Sequence, residues 1–477
     1  MAHTSPDILD PKPADKALLE ADAPQLLPLL TAWPTIRIYT RSHPDFEMLR
    51  MVLAARTEDL PLALIRVISE EEIAAAILAC EGASIPIAVR SGGNDFGDRN
   101  YVDGGVTVDV QLLNSIVISP DRCSAQIGGG VTLGQLLYTL DKHNLDTPCG
   151  WGHQVGYVGW ACGGGYSTEV GTRGLGVDQI LAGRIVTASG HVIDASPNGD
   201  TDAYWALRGG GAGIVGIVSQ LTIKVYPKPK ILAGSIAFPF SEVEAVFLGF
   251  EQLLEHVYPD KFAGDSFIVN PPGSGGLFNH FFWWHLDDDE SDLVEAQAFL
   301  HRIKQLGTVM VDTVSQTTPY EFLYSIQNPI IEERQYFANA SCTVAGMSLA
   351  LGKAIASHPL PTDLSVIVLH QCHGSGSKED AGAAYANRSR HLLVGISASC
   401  PYSDVKMRKL ISSWPHDLLA DVTAAELPLP RKYINFNPRE PRDGRLYFGD
   451  NGVARMQAIK SRLDPNNIFA ACTPDLE

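Results

Sequence analysis

Short apolar runs alternating with amphipathic stretches organise the first half of this chain. Residues 1–58 form a proline-punctuated lead-in with a short helical stretch over 14–30. Ala63-Leu64-Ile65-Arg66-Val67 reads as a buried strand. Ser69 then precedes Glu72 by three residues, a spacing that predicts a capping box and a helix running to about Glu81. Ile85-Pro86-Ile87-Ala88-Val89 returns to strand pattern, so a βαβ unit is expected here. Residues 202–207 predict a helix with Asp202 as its cap, and residues 218–226 alternate as a strand does. The prolines of Pro227-Lys228-Pro229 mark a boundary.

Residues 229–429 have a different texture. Long β-prone runs at 278–286 and 364–370 flank helical patterns such as 241–256, which predicts an antiparallel sheet covered by helices. Trp283 and Trp284 must then face opposite sides of their strand, as an aromatic wall for a flat substrate or as core. The expected class is α+β, with a cofactor-binding region over 59–228, a substrate region over 229–429, and a closing segment, 430–477, that returns to the first.

With 477 residues, 45% of them hydrophobic, the chain can bury a large core. A net charge of −18 opposes binding to a phosphate backbone, so nucleic acid is not an expected partner. No run approaches the roughly 18 apolar residues of a membrane span, and Met1 to Asp7 lacks a basic and apolar leader, so a soluble, cytoplasmic protein is expected. The eight cysteines form no CxxC pair, and no metal site is expected.

The candidate chemistry lies in glycine turns. Arg90-Ser91-Gly92-Gly93-Asn94-Asp95 follows a strand directly, and adjacent glycines let successive N–H groups point into one concavity suited to a pyrophosphate. Further turns follow at Gly128-Gly129-Gly130, between Gly150 and Gly165, and at Gly209-Gly210-Gly211. Gly211-Ala212-Gly213-Ile214-Val215-Gly216 also fits the dinucleotide fingerprint, but there a helix precedes and a strand follows, the reverse of what that site needs.

Together with Gly174-Leu175-Gly176-Val177-Asp178, Asp202-Ala203-Tyr204-Trp205-Ala206-Leu207-Arg208, Tyr433-Ile434-Asn435-Phe436 and Asp464-Pro465-Asn466-Asn467, these turns resemble the berberine-bridge-enzyme-like flavoproteins. That family has the vanillyl-alcohol-oxidase, or PCMH-type, FAD fold. The resemblance implies an FAD-dependent oxidoreductase acting on a small, largely apolar natural-product intermediate, with O2 as electron acceptor. A non-redox cyclase, isomerase or lyase with FAD as a structural element is the alternative. Expected cofactor contacts are Arg90, Ser91, Gly92, Gly93, Asn94, Asp95, Gly129, Gly150, Val155, Gly156, Gly163, Gly164, Val218 and Asn435.

The chain departs from the family at both covalent flavin anchors. Asn94 stands where relatives have a histidine, and Gly152 where they have a cysteine, with His153 one place later and Cys149 and Cys162 nearby. An amide nitrogen is not a nucleophile, so noncovalent FAD is expected. Tyr433 is the first candidate for proton transfer and His370 the second, with His373 on the opposite face. Val155 occupies the place where a small residue leaves room for oxygen. Arg388 is a candidate for a substrate carboxylate or an ion pair, and Asp95 with Arg99 for shaping the pocket edge or, the more ordinary outcome, a solvated loop pair.

Overall fold

The computed structural model describes residues 14–52, 60–97, 99–256, 258–287, 290–326, 335–438, 440–472 and 474–476. Much of the lead-in, residues 1–13 and 53–58, lies outside them. The rest of that region holds helices Lys16–Asp22 and Leu27–Ala32, joined by a short 3-10 turn, and a strand, Arg37–Thr40.

The βαβ unit forms as expected. Strands Ala63–Arg66 and Ile87–Arg90 both pair in parallel with Val106–Asp109, which lies between them, and helix Glu70–Gly82 makes the crossover. The helix cap differs from the reciprocal box. Ser69 Oγ accepts from the Glu72 N–H at 3.2 Å, but the Glu72 carboxylate accepts from the Ile68 N–H at 2.9 Å, one residue earlier. Glu72 is buried 3.6 Å from Arg37, and that ion pair holds its side chain back from the cap.

A five-stranded antiparallel sheet follows, in the order Ile116–Ile118, Ser124–Gly128, Ile217–Lys224, Ile180–Val186, Val192–Ala195. Strand Ile217–Lys224 directly follows the Gly211 to Gly216 turn, with no helix between, so the dinucleotide fingerprint lacks its structural context. Helix Thr201–Leu207 is capped by Asp200, not Asp202: Asp200 Oδ1 accepts from the Ala203 N–H at 2.9 Å. Asp202 instead faces Arg455, at 2.8 Å, and Arg462 meets both Asp200 oxygens at 2.7 and 3.0 Å. These pairs fasten helix Gly444–Leu463, and with it the closing segment, to the first half of the chain.

Two short strands, Leu145–Asp146 and Tyr226–Pro227, pair with each other, and the other strands of the described residues form an antiparallel sheet of eight. Helices Val243–His256, Leu349–Ala356 and Trp414–Ala424 are among those covering one face. Trp283 and Trp284 do face opposite sides, but both are core. Trp283 packs with Phe322, and Trp284 with Phe282 and Phe299, in two different apolar clusters. The aromatic-wall expectation therefore fails for this pair, because each face of the strand is closed by its own packing layer.

Replacing Asp200 by Ala should cost about 1–2 kcal/mol in urea unfolding, since a cap and an exposed ion pair are lost together. Asp202→Ala should cost less than about 0.5 kcal/mol. Equal losses would contradict the assignment of the cap.

Candidate active site

A cavity of about 480 Å³ opens where the glycine turns of the first half meet the large sheet and the closing segment. Its floor is the turn after strand Ile87–Arg90. A Cβ on Gly92 would lie 2.6 Å from the Gln154 carbonyl oxygen, so only glycine lets the two turns pack back to back. Asn94 staples them: its Nδ2 donates to the carbonyls of Gly92 and Gln154, at 2.8 and 2.9 Å. Ser91 Oγ donates to the Gly129 carbonyl at 2.8 Å.

No backbone N–H of residues 92–96 has a protein acceptor among the described residues. Consecutive free donors on a concave wall form an anion nest, and they fit the pyrophosphate of a dinucleotide. Asp95 and Arg99, on the same wall, pair at 3.0 Å, and Arg99 also donates to the Asn437 carbonyl at 2.8 Å. The pair lies on the cavity wall and is largely buried, not the solvated loop pair that is the more ordinary expectation.

The opposite wall carries groups able to handle protons. His370, near the end of strand Val366–Cys372, donates from Nδ1 to Asp265 at 2.6 Å, while Nε2 has no protein partner among the described residues. Asp265 also accepts from Trp151 Nε1 at 2.5 Å and from the Gln371 N–H at 3.0 Å. Three donors hold the carboxylate, and the carboxylate fixes the tautomer that presents a bare Nε2. Tyr166 stacks on His370 with ring centroids 5.7 Å apart. Tyr433 stands edge-on to Tyr166 at 4.8 Å, and its hydroxyl accepts from Asn435 Nδ2 at 3.1 Å and from the Gly165 N–H at 3.3 Å.

Burial pushes the Tyr433 phenol up to about 12, although these two donors favour the phenolate. This side chain is a protonated hydrogen-bonding group at neutral pH. Behind them, His391 Nδ1 donates to the Ser389 carbonyl at 2.7 Å, which leaves Nε2 to accept from the Tyr166 hydroxyl. Burial lowers His391 to about 4, keeping it neutral.

Family models now bear on these elements directly. An FAD binding domain model matches residues 61–196, and a model described as berberine and berberine like matches 432–473. Over 461 residues the chain is 32% identical to the FAD-linked oxidoreductase aurO of Gibberella zeae, a match covering 96% of this chain and 88% of that relative. The chain belongs to the berberine bridge enzyme-like FAD-linked oxidoreductases.

A second relative, the (R)-6-hydroxynicotine oxidase of Paenarthrobacter nicotinovorans, is 33% identical over 233 residues, 46% of this chain and 50% of its own. The crystal structure of 6-hydroxy-D-nicotine oxidase from Arthrobacter nicotinovorans superposes with a TM-score of 0.80 at 21% identity, covering 92% of this chain and 97% of that one. GilR in complex with pregilvocarcin superposes at 0.79 with 19% identity, covering 91% and 98%. At these identities the two structures show the shared fold alone.

The oxidoreductase brings most of the expected cofactor contacts onto one cavity: Ser91, Gly92, Gly93, Asn94, Asp95, Gly150, Val155, Gly156 and Asn435 line it, as do His370 and Tyr433. Arg90, Gly129, Gly163, Gly164 and Val218 do not. Arg90 is buried against Asp109 and the Leu49 carbonyl. Gly129 lies against the Val218 backbone within the five-stranded sheet, and Val218 is buried there. Gly163 lies under Asn435, where a Cβ would come 2.6 Å from Nδ2, and Gly164 lies under Tyr385 and Tyr433, so both admit neighbours instead of lining the wall.

His373 is off the cavity, packed on Tyr258 with centroids 4.0 Å apart. Arg388 is an ion pair: it grips both oxygens of Asp178 at 2.8 and 3.0 Å. Cys149 and Cys162 are buried in the core, with thiols pushed up by burial, and neither lines the cavity. Sequence reasoning missed Trp151, Tyr166 and Asp265. Tyr166 directly follows the triple-glycine turn, and Trp151 follows Gly150, which are usable signals; Asp265 has none.

The buried neutral His391 makes stability fall in acid. Its folded value lies below the unfolded value of about 6.5, so the unfolded chain takes up the proton first and stability is lost as pH drops from about 6.5 towards 4. The loss from this one group should be roughly 3 kcal/mol. Urea midpoints at pH 7 and pH 4.5 should differ less in His391→Gln than in the parent protein.

Proposed function

We propose that this FAD-dependent oxidoreductase is an oxidase of a small, largely apolar natural-product intermediate, with FAD bound noncovalently and O2 as the electron acceptor. The observation that carries the reading is the Asp265–His370 dyad, which opens a bare imidazole nitrogen onto the same cavity as the free N–H nest.

The residues at the nest fit FAD: the N–H groups of residues 92–96 would meet the pyrophosphate, with Val155, Gly156 and Asn435 along the same wall. When bound, the flavin supplies hydride acceptance at its N5. This chain supplies the rest. His370 Nε2 takes the proton of a substrate O–H or N–H as the adjacent C–H loses its hydride, and Asp265 stabilises the imidazolium that forms. The Tyr433 hydroxyl donates a hydrogen bond towards the cavity, since its own oxygen already accepts from Asn435 and Gly165. Phe96, Phe267, Phe337 and Phe436 on the wall exclude water and favour an aromatic or aliphatic body over a charged one. Val155 on the wall supports oxygen access.

The small-molecule substrate named for the nicotine oxidase relative supports the substrate size. The non-redox alternative keeps one support, since an Asp–His dyad can also shuttle a proton for an isomerisation. Anaerobic mixing separates the two: bleaching of the flavin by substrate shows hydride transfer, and product without bleaching overturns the oxidase reading.

His370→Ala should lower kcat by about 10²–10⁴-fold with FAD retained, and Asp265→Asn should lower it less and shift the pH profile. Tyr433→Phe should cost under about tenfold, the worth of one neutral hydrogen bond. Acid precipitation should release the flavin into the supernatant; flavin in the pellet would overturn noncovalent binding.

A further inference from the structure

His370 is the inner end of a straight row of side chains. On strand Val366–Cys372, the residues two and four places before it, Val368 and Val366, point to the same face and line the same cavity. Val366 pairs with Ser397 of strand His391–Pro401, and Ser397 pairs with Asn339 of strand Gln335–Val344. Val366, Ser397 and Asn339 therefore form one rung across three strands, and all three line the cavity. Of the intervening rung, Val368, Gly395 and Ser341, only Val368 and Gly395 line the cavity, with Phe436 packed over Gly395.

The outer rung carries polar groups with nothing to bond. The Asn339 Oδ1 is buried without a hydrogen-bond partner, and neither the Asn339 amide nitrogen nor the Ser397 hydroxyl has one among the described residues. Unpaired polar groups of this kind cost free energy until a ligand satisfies them. Four residue steps along the strand, with one strand spacing across to Ser397 and two to Asn339, put their backbone positions about 14 and 16 Å from that of His370. The charged groups on the wall, Asp95 and Arg99, already neutralise each other.

We propose that Asn339 and Ser397 form a distal recognition point for the substrate, resting on the reading of His370 as the proton acceptor. The substrate class is then an elongated, uncharged, multi-ring aromatic. One end presents the reacting X–H to His370, and the other carries a hydroxyl or carbonyl bonded by the Asn339 amide and the Ser397 hydroxyl, whose backbone positions lie about 14–16 Å along the wall. Asn339 and Ser397 set the length and the far-end chemistry of what is accepted; they take no part in the proton transfer.

The test is isothermal titration of the FAD-loaded protein with three probes: a trans-stilbene with a para hydroxyl on each ring, the same stilbene with one hydroxyl, and hydroquinone, which is too short to reach both sites. The parent protein should bind the two-hydroxyl stilbene about tenfold more tightly than the one-hydroxyl compound. Asn339→Leu and Ser397→Ala should each compress that ratio to about threefold or less, with the Kd of the one-hydroxyl stilbene and of hydroquinone unchanged. Ser397→Ala removes only an oxygen atom, so it keeps the test open if Asn339→Leu fails to fold. A ratio that survives both variants, or a parent protein that binds neither stilbene, overturns the proposal. The reading of His370 fails separately, if His370→Ala turns over at the parent rate while the binding ratio stays intact.

Discussion

The close approach of two backbone turns, with no side chain between them, is the constraint on which the site depends. Gly92 packs against the 154–156 backbone, and a Cβ on Gly156 would in turn run into Ser91. Asn94 satisfies one carbonyl of its own turn and one of the facing turn, and the N–H groups of residues 92–96, which line the cavity, have no acceptor among the described residues. Ser91 extends the lock to Gly129, whose N–H donates to the Ser219 carbonyl of the five-stranded sheet. The nest is thus held from two sheets and does not need the cofactor to shape it.

The proton-handling side chains reach the cavity by independent routes. Tyr433 and Asn435 arrive on the closing segment, which is tied in by the Arg99 to Asn437 bond and by Asn437 Nδ2 donating to the Tyr433 carbonyl at 2.7 Å. His370 and Asp265 come from neighbouring strands of the large sheet, where the register places Ser266 opposite Leu369 and so brings Asp265 beside His370. A base held by sheet register and a phenol held by a tethered segment share one wall, with Tyr166 stacked between them. Hydrogen bonding to rigid strands suits the base, since proton transfer tolerates little misplacement.

This division explains which parts were legible in the sequence. The βαβ unit, the glycine nest and the opposed faces of Trp283 and Trp284 follow from local pattern, and local pattern carries them. The cap of helix Thr201–Leu207 was misplaced by two residues because Asp200 and Asp202 both satisfy the rule, and the choice falls to Arg462 and Arg455 on a helix far along the chain. Asp265 was invisible because a single carboxylate in a β-prone run has no spacing signature; its meaning comes from a pairing 105 residues away. Tyr433 was found, but the burial that pushes its phenol further above the ordinary value is encoded by no motif.

Asn94 makes a tie that an imidazole in its place could not. A neutral imidazole offers one N–H, whereas a primary amide offers two from a single nitrogen. Asn94 spends both on carbonyls from different turns, so one side chain closes the floor of the cavity. Under the proposed noncovalent reading, retention would fall to the nest, to buried ring surface and to hydrogen bonds worth roughly 1 kcal/mol each. A flavin held that way would be a weaker oxidant than one carrying electron-withdrawing attachments, and substrates whose oxidation is eased by deprotonation would suit a wall that carries the His370 imidazole.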